Sequence, residues 1–246
     1  KINNGQEPIL NEKNSDFFFL KTETPVITRN VVVDLISKRL PNAYGYDFSK
    51  DIQILTQSRK GICGVFELNR LLQDILNPKN EETDELLVGN KLFRVNDKVM
   101  QTKNNYNLSF FDSDGEENFG VYNGDMGHII FIDKSSKKLT VEMDDNRVID
   151  YTLEDLDNLE LAYAITIHKS QGSEFKSVII PMFDGYRLLQ TRNLLYTAIT
   201  RAKENIVLVG DKNVMNNMIR NNTINSRYSN LENRIKHFYG LVEELL

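Results

Sequence analysis

A chain of 246 residues with a single cysteine, Cys63, has no internal disulfide framework. A lone thiol suits a reducing compartment, so the expected location is cytoplasmic, and Cys63 reads as a small packed residue rather than a nucleophile. No apolar run approaches the length of a membrane span, and the opening KINNGQEPIL lacks the hydrophobic region of a signal peptide. Excess positive charge is missing as well. With 30 Lys and Arg against 35 Asp and Glu, the formal net charge is −5, which argues against coating nucleic acid by bulk electrostatics but leaves room for a local basic track. Also absent is a GxxxxGK[ST] phosphate loop: the nearest glycine loop, RKGICG, has no Lys-Ser/Thr end. Asp84 and Glu85 follow the polar run NEET rather than an apolar strand, which makes them a poor magnesium-binding pair.

What remains is ordinary for a globular chain, 40% hydrophobic and 26% charged, with enough apolar residues for a sizeable core. FFFL (Phe17 to Leu20) reads as a strand, Asn30 to Leu40 as a helix stopped by Pro41, and DIQILT (Asp51 to Thr56) as a second strand. Leu68, Leu71, Leu72, Ile75 and Leu76 mark a helix face closed by Asn77 and Pro78. From Asn96 to Asp155 the texture changes to short alternating runs (KVMQ, GVY, GHIIFID, KLTVEM, RVIDY), which predict a small antiparallel barrel. Asn123 and Gly124 signal a hairpin there, and Asn96 suits a turn with positive φ.

Beyond the barrel, LAYA (Leu161 to Ala164) and SVIIPM (Ser177 to Met182) read as strands. A helix follows, with Leu195, Ala198, Ile199 and Ala202 on its inner face, then a polar break at Lys203 to Asn205 and the buried strand IVLVG. Strands alternating with helices on both sides of the insert imply an α/β fold, a parallel sheet of the RecA type interrupted and then resumed. The tail offers a capping box at Ser229 and Glu232, with Leu231, Ile235, Phe238, Val242 and Leu245 along one helix face. The acidic runs EETDE and DSDGEE read as solvated faces, which leaves Lys91, Arg94, Lys98 and Lys103 as a mostly basic stretch.

Two segments concentrate polar chemistry. Between LAYA and SVIIPM stand Thr166, His168, Lys169, Ser170, Gln171, Gly172, Ser173 and Glu174, eight polar or glycine positions among nine. Glycine lets backbone approach a ligand, hydroxyls and histidine bond phosphate oxygens, and a carboxylate can accept from a ribose hydroxyl. A solvated loop would account for the polarity but not for this clustering of phosphate-type donors. In the second segment Arg201 occupies the last turn of its helix, at the edge where α/β sheets bind ligands. It is either a cation favoured by the helix dipole or one aimed at a phosphate.

TIHKSQGSEF and LLYTAITRA resemble the fifth and sixth signature motifs of superfamily-one helicases. LAYAITIHKSQGSEF, with NRLLQ and NGD upstream, is most similar to the RecD-like branch, the family of the exodeoxyribonuclease V alpha subunit. The likeness covers nearly the whole chain and is weakest in the last thirty or so residues. It implies the second RecA-like motor domain (1–95 and 156–246), interrupted by a barrel of Src-homology type at 96–155. The activity implied is ATP-dependent translocation 5′ to 3′ on single-stranded DNA, in repair and recombination. The loop QSRKGICG resembles the fourth motif, so Arg59 and Arg201 would meet ATP phosphates. The loop has Gln57 and Ser58 where the family often has Pro and Met, which keeps Lys60 as a substitute. Arg59 could equally be a solvated loop cation.

Gly172 and Glu174 would complete the nucleotide contacts. Thr166, His168, Lys169 and Ser170 would hold DNA, joined by Asn104, Asn105 and Tyr106 unless these form a plain hairpin loop. Magnesium ligands and the phosphate loop would lie in a first motor domain outside this chain, so that this piece alone would not turn over ATP. Nuclease-complex subunits are further expected partners. The other readings are a non-catalytic DNA-binding or scaffold subunit of a recombination nuclease, and the helicase part of a conjugative relaxase.

Overall fold

The computed structural model describes residues 1–12, 15–81, 83–111, 116–183, 189–223, 234–236 and 238–239. Most of the tail, including Ser229, Leu231, Glu232, Val242 and Leu245, lies outside the described residues, as does most of DSDGEE. The strands in chain order are β1 (Phe17–Lys21), β2 (Ile52–Thr56), β3 (Glu85–Val88), β4 (Lys91–Arg94), β5 (Lys98–Gln101), β6 (Asn105–Phe111) and β7 (Glu117–Val121). They continue with β8 (Met126–Asp133), β9 (Lys138–Met143), β10 (Val148–Tyr151), β11 (Leu159–Leu161), β12 (Ala164–Thr166), β13 (Phe175–Met182) and β14 (Ala202–Gly210). The helices are α1 (Pro25–Asp34), α2 (Leu40–Tyr44), α3 (Val65–Leu76), α4 (Arg192–Ile199) and α5 (Lys212–Arg220).

Five strands in the order β1-β14-β13-β2-β12 form a wholly parallel sheet. Its inner runs are apolar on both sides because helices cover both faces. Ile52, Ile54, Ile179, Val207 and Val209 pack against Val32 and Ile36 near α1 and against Leu68 and Leu72 of α3. Leu55, Val178, Ile180, Ile206 and Leu208 face Leu194, Leu195 and Ala198 of α4 and Met215 of α5. A single period-2 alternation thus feeds two cores. Seven strands in the order β11-β5-β8-β9-β10-β6-β7 form the second, antiparallel sheet, and the β3–β4 hairpin packs onto it. Its core draws Leu86 and Phe93 from before residue 96, and Leu156 and Leu159 from after residue 155.

Several elements depart from the sequence expectation, each for a physical reason. The helix expected at Asn30–Leu40 begins at Pro25, where Thr24 caps it by accepting from the Ile27 N–H, and it runs through a π turn (Leu35–Arg39) into α2. Pro41 is tolerated because the wide turn before it has already broken the i−4 ladder; the stop comes at Gly45, φ 70°. LAYA is not one strand. Leu161 ends β11 in the antiparallel sheet and Ala164 opens β12 in the parallel one. Lys203–Asn205 is no break but part of β14, with Asn205 opposite Ser177 and accepting its hydroxyl hydrogen bond. Asn123 and Gly124 do form a turn, closed by Asp125 N–H to the Tyr122 carbonyl, yet the flanking β7 and β8 do not pair, so it is no hairpin. Asn96 holds positive φ, 72°, as expected. On α3, Asn69 and Gln73 are buried and Ile75 is exposed, reversing part of the expected face.

The crossing from one sheet to the other is pinned by amides. Asn69 donates to the Leu161 and Ala164 carbonyls at 2.8 and 2.9 Å and accepts from the Ala164 N–H at 2.7 Å. Gln53 donates to the carbonyls of Ala162 and Tyr163. Buried backbone that belongs to neither sheet needs such partners. Among the described residues no helix is long and apolar enough to cross a membrane.

Cys63 is fully buried, its thiol donating to the Pro25 carbonyl at 3.3 Å, and burial pushes its pKa up to about 12. A thiol-reactive disulfide reagent at neutral pH is therefore expected to label the native chain at least about a hundredfold more slowly than the guanidinium-unfolded one, because the thiolate needs opening to form. Comparable rates in the two states would show the site to be accessible.

Candidate functional site

Parallel strands give the sheet two unlike edges, and the polar loop joins them. β12 ends at Thr166, level with Thr56 at the end of β2. A 3-10 turn (Ile167–Ser170) follows, and the chain returns at Phe175 to the start of β13, having passed β2 to reach its far neighbour. Ile167 anchors the loop in the core shared with α4. Thr166 and Lys169 are half-buried and His168 is exposed. Ser170 is fully buried, its hydroxyl donating to the Ile167 carbonyl at 2.8 Å, so one of the nine positions expected outside the core belongs to it. Gly172 holds φ 94° with open space where a Cβ would stand; glycine is needed there for the turn, not for close packing.

At the edge where strands begin, Arg201 lies between α4 and β14, just past the helix rather than in its last turn. Its Nη1 donates to the Ser173 carbonyl at 3.1 Å and its Nε to the Thr197 carbonyl at 3.2 Å, while its own carbonyl accepts from the Phe175 N–H. It therefore clasps the far end of the polar loop. A helix leading into a parallel strand delivers its last residues to the strand's N-terminal end, the opposite edge from the one α/β folds ordinarily use for ligands. Glu174 stands beside it, paired with Lys203 at 3.4 Å, both side chains 57% exposed. So exposed a pair holds neither partner firmly.

Arg59 follows β2 and so sits at the other edge, ion-paired with Glu160 and stacked over the Phe66 ring, 4.9 Å from guanidinium carbon to centroid. The five residues of β2 alone span about 13 Å at strand spacing, so Arg59 and Arg201 start from opposite edges of the sheet. Lys60, exposed in the same loop, shares Arg59's edge. The glycine loop is closed to anions: the Val65 and Phe66 N–H groups that open α3 already donate to the Ser58 and Arg59 carbonyls, and a Cβ at Gly64 would lie 2.6 Å from the Lys60 carbonyl.

The expected basic stretch is mostly consumed by structure. Lys91 donates to the Asp157 and Leu159 carbonyls at 2.8 and 3.0 Å. Arg94 is buried and paired with the mostly buried Glu85 and the exposed Asp74, which also removes Glu85 from the solvated acidic run. Lys98 is buried 5.9 Å from the Phe175 ring, and burial draws its pKa down to about 8. Lys103 alone of the four is exposed. Lys169 lies within the field of Glu160, Arg59 and Lys91; burial, with the two cations, holds it below the ordinary lysine value against the pull of Glu160.

Asn104, Asn105 and Tyr106 are largely engaged with each other and their surroundings. Asn104 donates to the Tyr106 hydroxyl and accepts from the Asn123 N–H, and Asn105 donates to Asp155. The Tyr106 ring is 65% exposed, edge-on to Tyr122. Among the described residues no three of His, Cys, Asp and Glu converge on a metal-sized site. Sequence reasoning missed Phe66, Glu160 and Asp97. An aromatic two residues after the glycine loop was a visible signal; the buried Asp97 and the half-buried Glu160 were not.

Two family models match the chain: the SH3 domain of ATP-dependent RecD-like DNA helicases over residues 68–143, and the C-terminal domain of UvrD-like helicases over residues 161–209. The chain is 36% identical over 159 residues to the ATP-dependent RecD2 DNA helicase of Deinococcus radiodurans, covering 65% of this chain and 20% of that one. It is 26% identical over 165 residues to the RecBCD enzyme subunit RecD of Buchnera aphidicola, covering 67% and 26%. The chain thus spans about a fifth to a quarter of these curated relatives. Among solved structures, the Pif1 helicase from Bacteroides in complex with ADP-AlF3 and ssDNA aligns at TM-score 0.45 and 22% identity, over 89% of this chain and 55% of that one.

Proposed function

The chain belongs with the RecD-like superfamily-one helicases, and from that premise we propose that it is the second motor domain of an ATP-driven helicase moving 5′ to 3′ along single-stranded DNA in repair or recombination. The observation that carries the reading is the loop from Thr166 to Glu174, which links the two edges of the parallel sheet and is clasped at its far end by Arg201. ATP, as substrate, would be met at the strand-start edge. There Arg201 would offset charge developing on the transferred phosphoryl group, Glu174 would accept from a ribose hydroxyl, and the backbone at Gly172 would follow the nucleotide closely. Thr166, His168 and Lys169 would bond DNA phosphates at the strand-end edge.

A small shift of Ser173 and Glu174 against Arg201 would be passed along eight residues to the DNA end. Arg59 and Lys60, on the strand-end edge, are assigned here to the DNA side. Phosphate-loop and magnesium-binding carboxylate roles would fall to the first motor domain, since this sequence carries no GxxxxGK[ST] loop and Asp84, of the Asp84–Glu85 pair, is tied to Lys134 while Glu85 is tied to Arg94. The test is ATP hydrolysis by the full-length protein with and without single-stranded DNA. Stimulation of at least about tenfold is expected, within the range DNA or partner contacts give phosphoryl-transfer enzymes, and none from this segment alone. Tight DNA binding without turnover would replace the motor with a scaffold role.

A further inference from the structure

Beside the DNA edge the fold leaves a groove of about 800 Å³ between α3 and the β3–β4 hairpin. Leu92, Phe93 and Leu161 form its apolar floor, and Arg59, Arg70 and Glu160 stand on its rim. Phe66 projects into it from the first turn of α3, 52% exposed, with the Arg59 guanidinium over one ring face. Arg59 is also paired with Glu160, which favours this placement of the guanidinium over the ring. An exposed aromatic ring with a fixed guanidinium beside it is the kind of surface on which unpaired bases stack, whatever their sequence. The lining carries three cations, Arg59, Arg70 and Lys91, against two carboxylates, Asp74 and Glu160, which suits a strand that brings both a base and a phosphate better than a neutral apolar ligand.

We propose that this groove receives one unstacked base of the single strand whose phosphates are held by Thr166, His168 and Lys169, with Phe66 as the stacking surface and Arg59 as its cationic neighbour. The inference rests on the helicase reading and adds a base-contacting site to it. It gives the strand a sequence-tolerant grip distinct from the phosphate grip, and it puts that grip on α3, whose Asn69 fixes the start of β12 and hence of the loop.

Fluorescence anisotropy of the full-length protein separates the two grips. Wild type is compared with Phe66→Ala and Phe66→Trp on an oligothymidylate and on an abasic strand of equal length, which keeps the phosphates and lacks the bases. Loss of one stacked base predicts about tenfold weaker binding of oligothymidylate by Phe66→Ala. Affinity for the abasic strand should be unchanged, and Phe66→Trp should restore binding. Since Phe66 is half-exposed, neither substitution removes core packing. Equal losses on both strands, or none on oligothymidylate, would overturn the base site while leaving the helicase reading intact. Failure of wild type to bind either strand would overturn the helicase reading itself.

Discussion

Replacing Arg201 with alanine in the full-length protein is expected to lower DNA-stimulated ATP hydrolysis by about three to five decades, the contribution of an arginine that meets a transferred phosphoryl group. The geometry sharpens the expectation. Arg201 spends three donor contacts on the Ser173 and Thr197 carbonyls and the Thr200 hydroxyl, which leaves two of its five N–H groups for a ligand. Loss of its local bonds alone, at a half-buried position, would cost about 1 kcal/mol of stability, so the variant should stay folded and bind single-stranded DNA within a few-fold of wild type. Lysine at 201 keeps the charge but not the fork, and should recover only part of the rate. Steady-state ATPase assays at saturating DNA, with melting temperatures alongside, decide it. Activity within threefold of wild type would remove Arg201 from the chemistry and leave it as a clasp for the polar loop.

The parallel sheet was legible because strands buried on both faces are rich in apolar residues, as FFFL is throughout, SVIIPM is after Ser177 and the inner run IQIL of DIQILT is apart from Gln53. The antiparallel insert was legible from alternation. What the sequence hid was pairing. LAYA looks like one apolar run because Leu161, Ala162, Tyr163 and Ala164 are all largely enclosed, yet the enclosure comes from two sheets and from the side chains of Gln53 and Asn69 between them. Charge misled for a related reason. Spacing along the chain cannot tell a lysine facing solvent from one turned into carbonyls, as Lys91 is, or one sunk beneath a ring, as Lys98 is.

At the site, the residue types in TIHKSQGSEF and TRA could be read directly, while their distribution over two edges could not. That distribution follows from strand direction, which separates Arg59 from Arg201 however similar the two cations look in sequence. Polar residues on an apolar helix stripe were the overlooked clue: Asn69 and Gln73 sit where leucines would be expected because their amides join the two sheets.

The second large effect concerns Asp97, which holds the insert to the parallel sheet. Its carboxylate is fully buried and accepts four hydrogen bonds, from Gln73 at 2.6 Å, the Arg94 N–H at 2.7 Å, Asn77 at 2.8 Å and the Tyr163 hydroxyl at 3.0 Å. These donors come from α3 and its C-cap, the end of β4 and the crossing between sheets, so one side chain ties three elements together. Asp97→Ala strands several buried donors at once and is expected to cost about 3 to 5 kcal/mol by denaturant titration. Asp97→Asn should also be costly, because its NH2 would face donors.

The pH dependence separates this carboxylate from an ordinary ion-paired one. Burial raises its pKa above the ordinary aspartate value, the four hydrogen bonds opposing without cancelling. The native state therefore holds the proton more tightly than the unfolded state. The stability that Asp97 contributes is fully present below its unfolded pKa and declines as pH rises through the folded one. The gap between wild type and Asp97→Ala should then be wider near pH 4 than near pH 8. A gap that instead closes on acidification would mean that the four hydrogen bonds to the ionised carboxylate outweigh the cost of burying it. Because Tyr163 lies three residues before Thr166, the same substitution should also loosen the polar loop that follows, and hydrogen exchange of the Thr166 to Glu174 amides would register it before global unfolding does.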